Sequence, residues 1–252
     1  MRPRASDGPG SYDRIVRVLR ELDQDPGLLA LLATAWAERS FETDYARPLL
    51  LLAALRYRAL ETDDHPLALE LRMDAEVPEL ERRLREALAD PGLLPLLRMR
   101  AVQTNEAGRA FAWGLPALTL GFGHRAFSLV DLGCSAGFNL VVDRTSLPYR
   151  FGVNKVSGFD FPSPELRIGL DLAPIDAKDE VEARWLEACI WPGQPERLER
   201  FKACRELFKK PWQGQAPAPD LRPHVLGEGH TRPLLDALPG TVLAYESVVR
   251  PY

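Results

Sequence analysis

Asp131, Gly133, Ser135 and Gly137 are the residues whose types and spacing most directly suggest chemistry. They follow an apolar run at 127–132 and precede the stretch 137–144, so the pattern predicts strand, tight turn and helix. Glycines at 133 and 137 remove the Cβ atoms that would keep a ligand away from the backbone. A helix beginning there would add backbone N–H groups and a positive dipole end. The dinucleotide fingerprint needs further glycines where Ser135 and Phe138 stand, and the phosphate-binding loop needs a Gly-Lys-Ser/Thr that does not follow. What remains is a turn that a ligand can approach closely, with an acid at the end of the strand before it.

A second acid has the same kind of setting. The run LRIGLDLAPID at 166–176 predicts a strand that ends at Asp171, and a carboxylate there can accept both hydroxyls of a ribose diol. Asp171 is equally able to cap the helix that follows. Two weaker echoes come later, VLGEG at 225–229 with Glu228 and TVLAYES at 241–247 with Glu246 and Ser247. Together these stretches resemble the successive motifs of class I, Rossmann-like S-adenosylmethionine-dependent methyltransferases. The resemblance implies S-adenosylmethionine as cofactor, with Asp131, Gly133, Ser135, Gly137, Asp171 and Glu228 around it. Asp131 would hold the turn and the cofactor's amino group, Asp171 the ribose and Glu228 the adenine. Ser135 departs from the usual middle glycine, and Asp171 comes late, with 145–166 as an insertion. The string Gly133-Cys134-Ser135-Ala136-Gly137 also matches the G-x-S-x-G elbow of α/β-hydrolases, which makes a serine hydrolase with His224 or His230 the alternative. A non-catalytic interaction or scaffold protein is the third reading.

The segments TNEAGR (104–109), 131–144, 167–176 and WLEACIWPGQPERLER (185–200) resemble a bacterial family, domain of unknown function 2332, which carries no established reaction. Within TNEAGR, Asn105, Glu106 and Arg109 are possible substrate or cofactor contacts, Arg109 being suited to a carboxylate. The structural alternative has Asn105 capping a helix and Glu106 pairing with Arg109.

The elements that must position these residues divide the chain near residue 125. Residues 1–125 read as a helical N-terminal region, a cap or lid, with helices at 11–22, 26–39, 47–61, 78–89, 91–102 and 105–120. Residues 126–252 read as a Rossmann-like, mostly parallel α/β core, with strands at 127–132, 167–172, 223–227 and 241–246. Helices are expected at 137–144, 179–189, 195–209 and 231–238. A full methyltransferase sheet has seven strands, so this core is expected to be incomplete. The options are a truncated reading frame, a homodimer through the exposed sheet edge, or a variant closed by the N-terminal helices. Within the helical region, 17–32 and 82–97 share eleven of sixteen residues around a common Asp-Pro-Gly corner. That echo is either a duplicated helical hairpin or convergence on good capping chemistry.

Composition limits the partners. The net charge of −4 comes without a basic block, so no generic nucleic-acid footprint exists. The odd count of three cysteines lacks a C-x-x-C pair and the four histidines are scattered, so neither a disulfide framework nor a metal is expected. The polar N-terminus and the short aliphatic run at 49–55 predict a cytoplasmic protein without a membrane span. The acceptor substrate is not legible.

Overall fold

The computed structural model describes residues 10–41, 43–103, 106–145, 149–151, 154–156, 159–212 and 217–246. The chain forms two compact units, one of residues 1–104 with 184–195, the other of 105–183 with 196–252. Among the described residues the protein is α/β, with ten α-helices and a four-stranded parallel sheet.

In the first unit, the predicted helices form as α1 (Ser11–Glu21), α2 (Pro26–Trp36), α3 (Ala46–Glu61), α5 (Leu80–Leu88) and α6 (Leu93–Met99), with a short α4 (Ala68–Met73) that the pattern did not predict. The core gathers Ile15, Leu50, Leu55, Leu71, Leu84, Leu93 and Trp185, all buried. The two halves of the sequence echo pack against each other, α1 on α5 and α2 on α6. Their identical corners behave differently. Asp25 caps α2 by accepting the Leu28 N–H at 2.9 Å, with Pro26 at the first helical position. Asp90 instead accepts from Gly92 N at 2.8 Å and Arg58 Nε at 2.6 Å, and α6 starts only at Leu93. Local chemistry sets the corner and a tertiary arginine shifts the helix start.

In the second unit, β1 (Ser128–Leu132) lies between β4 (Leu166–Asp171) and β6 (Val242–Glu246), and β5 (Asp220–Pro223) lies outside β4. All three pairings are parallel. The chain steps outward from β1 to β4 to β5 and then returns to the opposite side of β1 with β6. This is the order of the first half of a Rossmann sheet, and it puts the topological switch point between β1 and β6. A separate two-stranded hairpin, β2 (Tyr149–Phe151) and β3 (Asn154–Val156), occupies part of the insertion. One sheet face is apolar, built from Val130, Ile168 and Leu170 under Leu234, Leu235 and Leu238, of which Leu234 and Leu235 lie on α10 (Glu228–Asp236).

Three expectations need correction. The helix at 137–144 is replaced by two 3-10 turns, Phe138–Leu140 and Val142–Arg144. Its would-be helical carbonyls serve other donors: Trp113 Nε1 bonds Asn139 O at 3.1 Å, and Arg167 Nη1 bonds Leu140 O at 2.6 Å. Phe138 through Val142 are buried on every side, so no polar face exists for an amphipathic helix. The helix at 105–120 becomes a 3-10 turn, Ala107–Ala110, followed by α7 (Phe111–Thr119). The third strand forms at 220–223 rather than 223–227, and its Pro223 is tolerated because β5 is an edge strand. The other two helices of this half form as α8 (Glu180–Ala188) and α9 (Pro195–Lys209).

Candidate functional site

The turn after β1 has left-handed backbone at Gly133 (φ 78°), Ser135 (φ 52°) and Gly137 (φ 71°). The two glycines adopt it without strain, whereas a serine there costs about 1–2 kcal/mol. The turn is laced to β4. Gly133 N and Cys134 N donate to Leu170 O at 2.7 and 3.2 Å, and Ile175 N donates to Ser135 O at 3.1 Å. Asp171 Oδ2 accepts the Ser135 N–H at 2.8 Å while Oδ1 accepts that of Ala173 at 3.1 Å. Asp171 is therefore a strut under the turn, and each of its oxygens keeps a lone pair for a hydroxyl. Gly137 N is also used, donating to Cys134 O at 2.8 Å. With these amides engaged inside the protein and no α-helix following, the turn is not the N–H cradle that the sequence suggested. A Cβ at Gly137 would meet a Leu221 methyl at 2.7 Å, so this glycine serves packing within the unit, and the turn lacks the donor array that a phosphate requires.

Beyond Asp171 the sheet edge is apolar and open. His224 N donates to Asp171 O at 2.7 Å, which sets the ends of β4 and β5 side by side. The next residues, Leu172 and Val225, are exposed by 54% and 62%. Such a pair beside a carboxylate suits the flat face of a nucleobase next to its ribose.

The second sheet face carries a row across neighbouring strands: Leu221, Gly169, Asp131 and Tyr245, in register. A Cβ at Gly169 would meet Cys134 Sγ and a Leu221 methyl, both at 2.6 Å, so glycine is required where the turn folds back over the sheet. Asp131 is 1% exposed, and neither of its oxygens has a hydrogen-bond partner among the described residues. Tyr245 Oη, equally enclosed, lacks one too. The two side chains are close enough to shift each other, the Tyr245 hydroxyl lowering the Asp131 carboxyl and Asp131 raising the Tyr245 hydroxyl, although their geometry falls short of a well-aligned hydrogen bond. Burial pushes the Asp131 carboxyl up to about 7, opposed by the polar contact of the Tyr245 hydroxyl and by the charge of Arg109, and reinforced by the charge of Asp171. Burial also raises the Tyr245 hydroxyl and the Cys134 thiol, both of which stay protonated at neutral pH.

A guanidinium cluster lies on the same side. Glu106 Oε1 accepts from Gly108 N at 2.8 Å, capping the turn that carries Arg109. Its carboxylate is held by Arg200 Nε at 2.9 Å and Arg197 Nε at 3.0 Å, both from α9. Phe201 and Phe208 of α9 pack on Phe138, with ring centroids 5.5 and 5.8 Å apart. Burial, and the nearby Arg197, lower the Arg109 guanidinium from its ordinary value.

The structure thus brings Asp131, Gly133, Ser135, Gly137 and Asp171 together on neighbouring strands, with Arg109 acting electrostatically on Asp131. Glu106 pairs with Arg197 and Arg200 of α9. Asn105 and Ser247 lie outside the described residues, and Glu228 is described only as the first residue of α10. Glu246 is exposed at the end of β6. Sequence reasoning missed Tyr245, Arg197 and Arg200. The two arginines stand three apart in the segment 185–200, a spacing that places them on one helix face. Tyr245 had no signal beyond its place in the fourth strand.

By fold and site this is an α/β protein with a parallel half-Rossmann sheet and buried polar side chains beside its switch point. The chain belongs to the family described as "Uncharacterized protein conserved in bacteria (DUF2332)", which it matches over residues 6–213. No curated protein and no solved structure matches it. Among the described residues no helix is long and apolar enough to cross a membrane, no cluster of His, Cys, Asp and Glu could hold a metal, and Cys134, Cys189 and Cys204 form no disulfide.

Proposed function

We propose that the protein binds S-adenosylmethionine at the carboxyl ends of β1 and β4 and acts as a methyltransferase. The observation that carries this reading is the strapping of the left-handed turn to Asp171, Ser135 N to Asp171 Oδ2 at 2.8 Å, beside the exposed Leu172 and Val225. In this reading Asp171 receives the ribose hydroxyls and the two aliphatic side chains flank the adenine. Gly133, Ser135 and Gly137 line the methionine portion, and Asp131 closes the pocket from below. The lack of an amide cradle favours a phosphate-free nucleoside over a dinucleotide. Methyl transfer then asks of the protein chiefly that it align the sulfonium methyl group with an incoming nucleophile.

Isothermal titration of the whole chain with S-adenosylmethionine tests this. Binding is expected, and Asp171→Ala should weaken it by about tenfold or more through the loss of charge-assisted hydrogen bonds. Absence of binding by folded wild-type protein contradicts the reading. The serine hydrolase is favoured by one observation, the left-handed Ser135 on a sharp turn after a strand. It predicts that a fluorophosphonate probe labels wild-type protein and spares Ser135→Ala. The cofactor reading predicts no labelling of either.

A further inference from the structure

The helical unit holds a cleft of about 470 Å³ lined by Thr34, Ala35, Ala37, Glu38, Arg39 and Arg98. That volume falls in the range of small-molecule sites, about 300–1,000 Å³. The cleft lies where α2 and α6, the second helices of the two echoing segments, pack together at their carboxyl ends. Each arginine reaches across to the other helix. Arg39 Nη1 donates to Leu97 O of α6, and Arg98 Nη2 donates to Thr34 O of α2 at 3.4 Å. Cations suit the carbonyl ends of helices, so capping accounts for one N–H of each guanidinium. A guanidinium has five.

Capping does not explain the lack of acids. Arg14, Arg58, Arg72, Arg82 and Arg85 of the same unit each meet a carboxylate. Arg39 and Arg98 meet none among the described residues, in a chain whose net charge is −4. Arg39 is also held in place. Its guanidinium lies 5.0 Å from the centre of the Phe41 ring, which Arg47 approaches to 5.3 Å and which meets Trp36 edge-on at 5.5 Å. Burial lowers the Arg39 guanidinium from its ordinary value, and a partly desolvated cation without a counter-charge is relieved by an anion. Trp36, whose neighbours Ala35 and Ala37 both line the cleft, keeps a buried indole N–H without an acceptor among the described residues. Donors are thus in excess here, and Glu38 is the one acid that lines the cleft.

We infer that this cleft is a second ligand site, for a small organic anion whose carboxylate or phosphate group is held between Arg39 and Arg98. The inference does not depend on the adenosyl reading, because every lining residue belongs to the helical unit. The guanidinium fork fits either oxyanion through paired N–H donors. Glu38 supplies an acceptor in the same cleft, so the ligand that fits carries a hydroxyl or ammonium group near its anionic end. No covalent bond changes. The anion displaces water and links the ends of α2 and α6 through the two arginines.

Calorimetric titration of the whole chain at constant ionic strength tests this, with inorganic phosphate in one arm and acetate in the other. At least one of the two should bind saturably at one site per chain, and the tighter arm tells a phosphate ligand from a carboxylate. Arg98→Gln should weaken that binding by about tenfold or more. Arg98 is exposed and its bond to Thr34 O is long, so the variant keeps its fold. Arg39→Lys keeps the charge but loses the fork, and should weaken binding by about fivefold. Glu38→Gln removes a repelling charge and should tighten it by about twofold or more. Arg20→Gln alters the net charge as Arg98→Gln does, at an exposed position of α1 outside the cleft, and should leave binding unchanged. The inference is overturned if neither anion binds saturably, or if Arg98→Gln binds as tightly as Arg20→Gln.

Discussion

Each unit buries a carboxylate, and the two are treated in opposite ways. Glu70, 0% exposed in the helical unit, is fully served: Arg14 Nε donates at 2.5 Å and Val77 N at 3.0 Å. Burial still raises its carboxyl, with Arg14 opposing. Its surroundings are equally closed, Ser11 bonding both Glu70 O and Asp74 Oδ1 at 2.6 and 2.5 Å. Asp131, 1% exposed in the sheet unit, has no hydrogen bond among the described residues. The difference teaches how to sort buried acids. One that is completely partnered is a strut that fixes the fold, whereas one without a well-aligned partner keeps the cost of its burial unrelieved. The same contrast exists within the sheet unit, where buried Arg167 grips Asp143 through both nitrogens at 2.6 and 2.7 Å.

The comparison breaks most sharply under substitution. Arg14→Met strips Glu70 of its charge partner and should cost about 3 kcal/mol of unfolding free energy in urea. A loss under about 1 kcal/mol would mean that Glu70 is not held by its partners. Asp131→Asn should have the reverse sign. Folding raises the Asp131 carboxyl to about 7, so the folded state holds a proton that the unfolded state releases at lower pH. Wild-type stability therefore falls as pH rises from about 4 to about 7 and is flat above. The variant should be more stable near pH 8 by on the order of 2 kcal/mol, with the gap closing towards pH 4. A variant destabilised at pH 8 would make Asp131 a second strut. The smallest effect belongs to Ser135→Gly, which relieves left-handed serine at φ 52° and should stabilise by about 0.5–1 kcal/mol after the added freedom of the unfolded chain is counted. Thermal unfolding of the two proteins side by side measures it.

Much of the scaffold was legible because it rests on local rules. Asp25-Pro26 starts α2 as capping chemistry requires, α9 forms at 195–209 as its pattern predicts, and β1 and β4 fall within a residue of the expected strands. The failures come where distant partners decide. Phe138–Leu140 gives up helix because Trp113 and Arg167 claim its carbonyls, and the second Asp-Pro-Gly corner shifts because Arg58 claims Asp90. At the site, the glycine turn and both strand-end acids could be read from spacing, since the backbone there dictates residue type. Tyr245 could not, because its meaning comes from lying opposite Asp131 on a strand more than a hundred residues away. Glu106 was visible as a charged residue, but its arginine partners lie on another element.

The central claim is that an adenosyl ligand lies at the carboxyl ends of β1 and β4 with its sugar on Asp171. A crystal structure of the protein with S-adenosylhomocysteine tests it most directly. The account predicts ribose hydroxyls within hydrogen-bond distance of the Asp171 carboxylate and the base against Leu172 and Val225. Ligand ordered elsewhere on the protein, or a site that stays empty in crystals grown at saturating ligand, would contradict it.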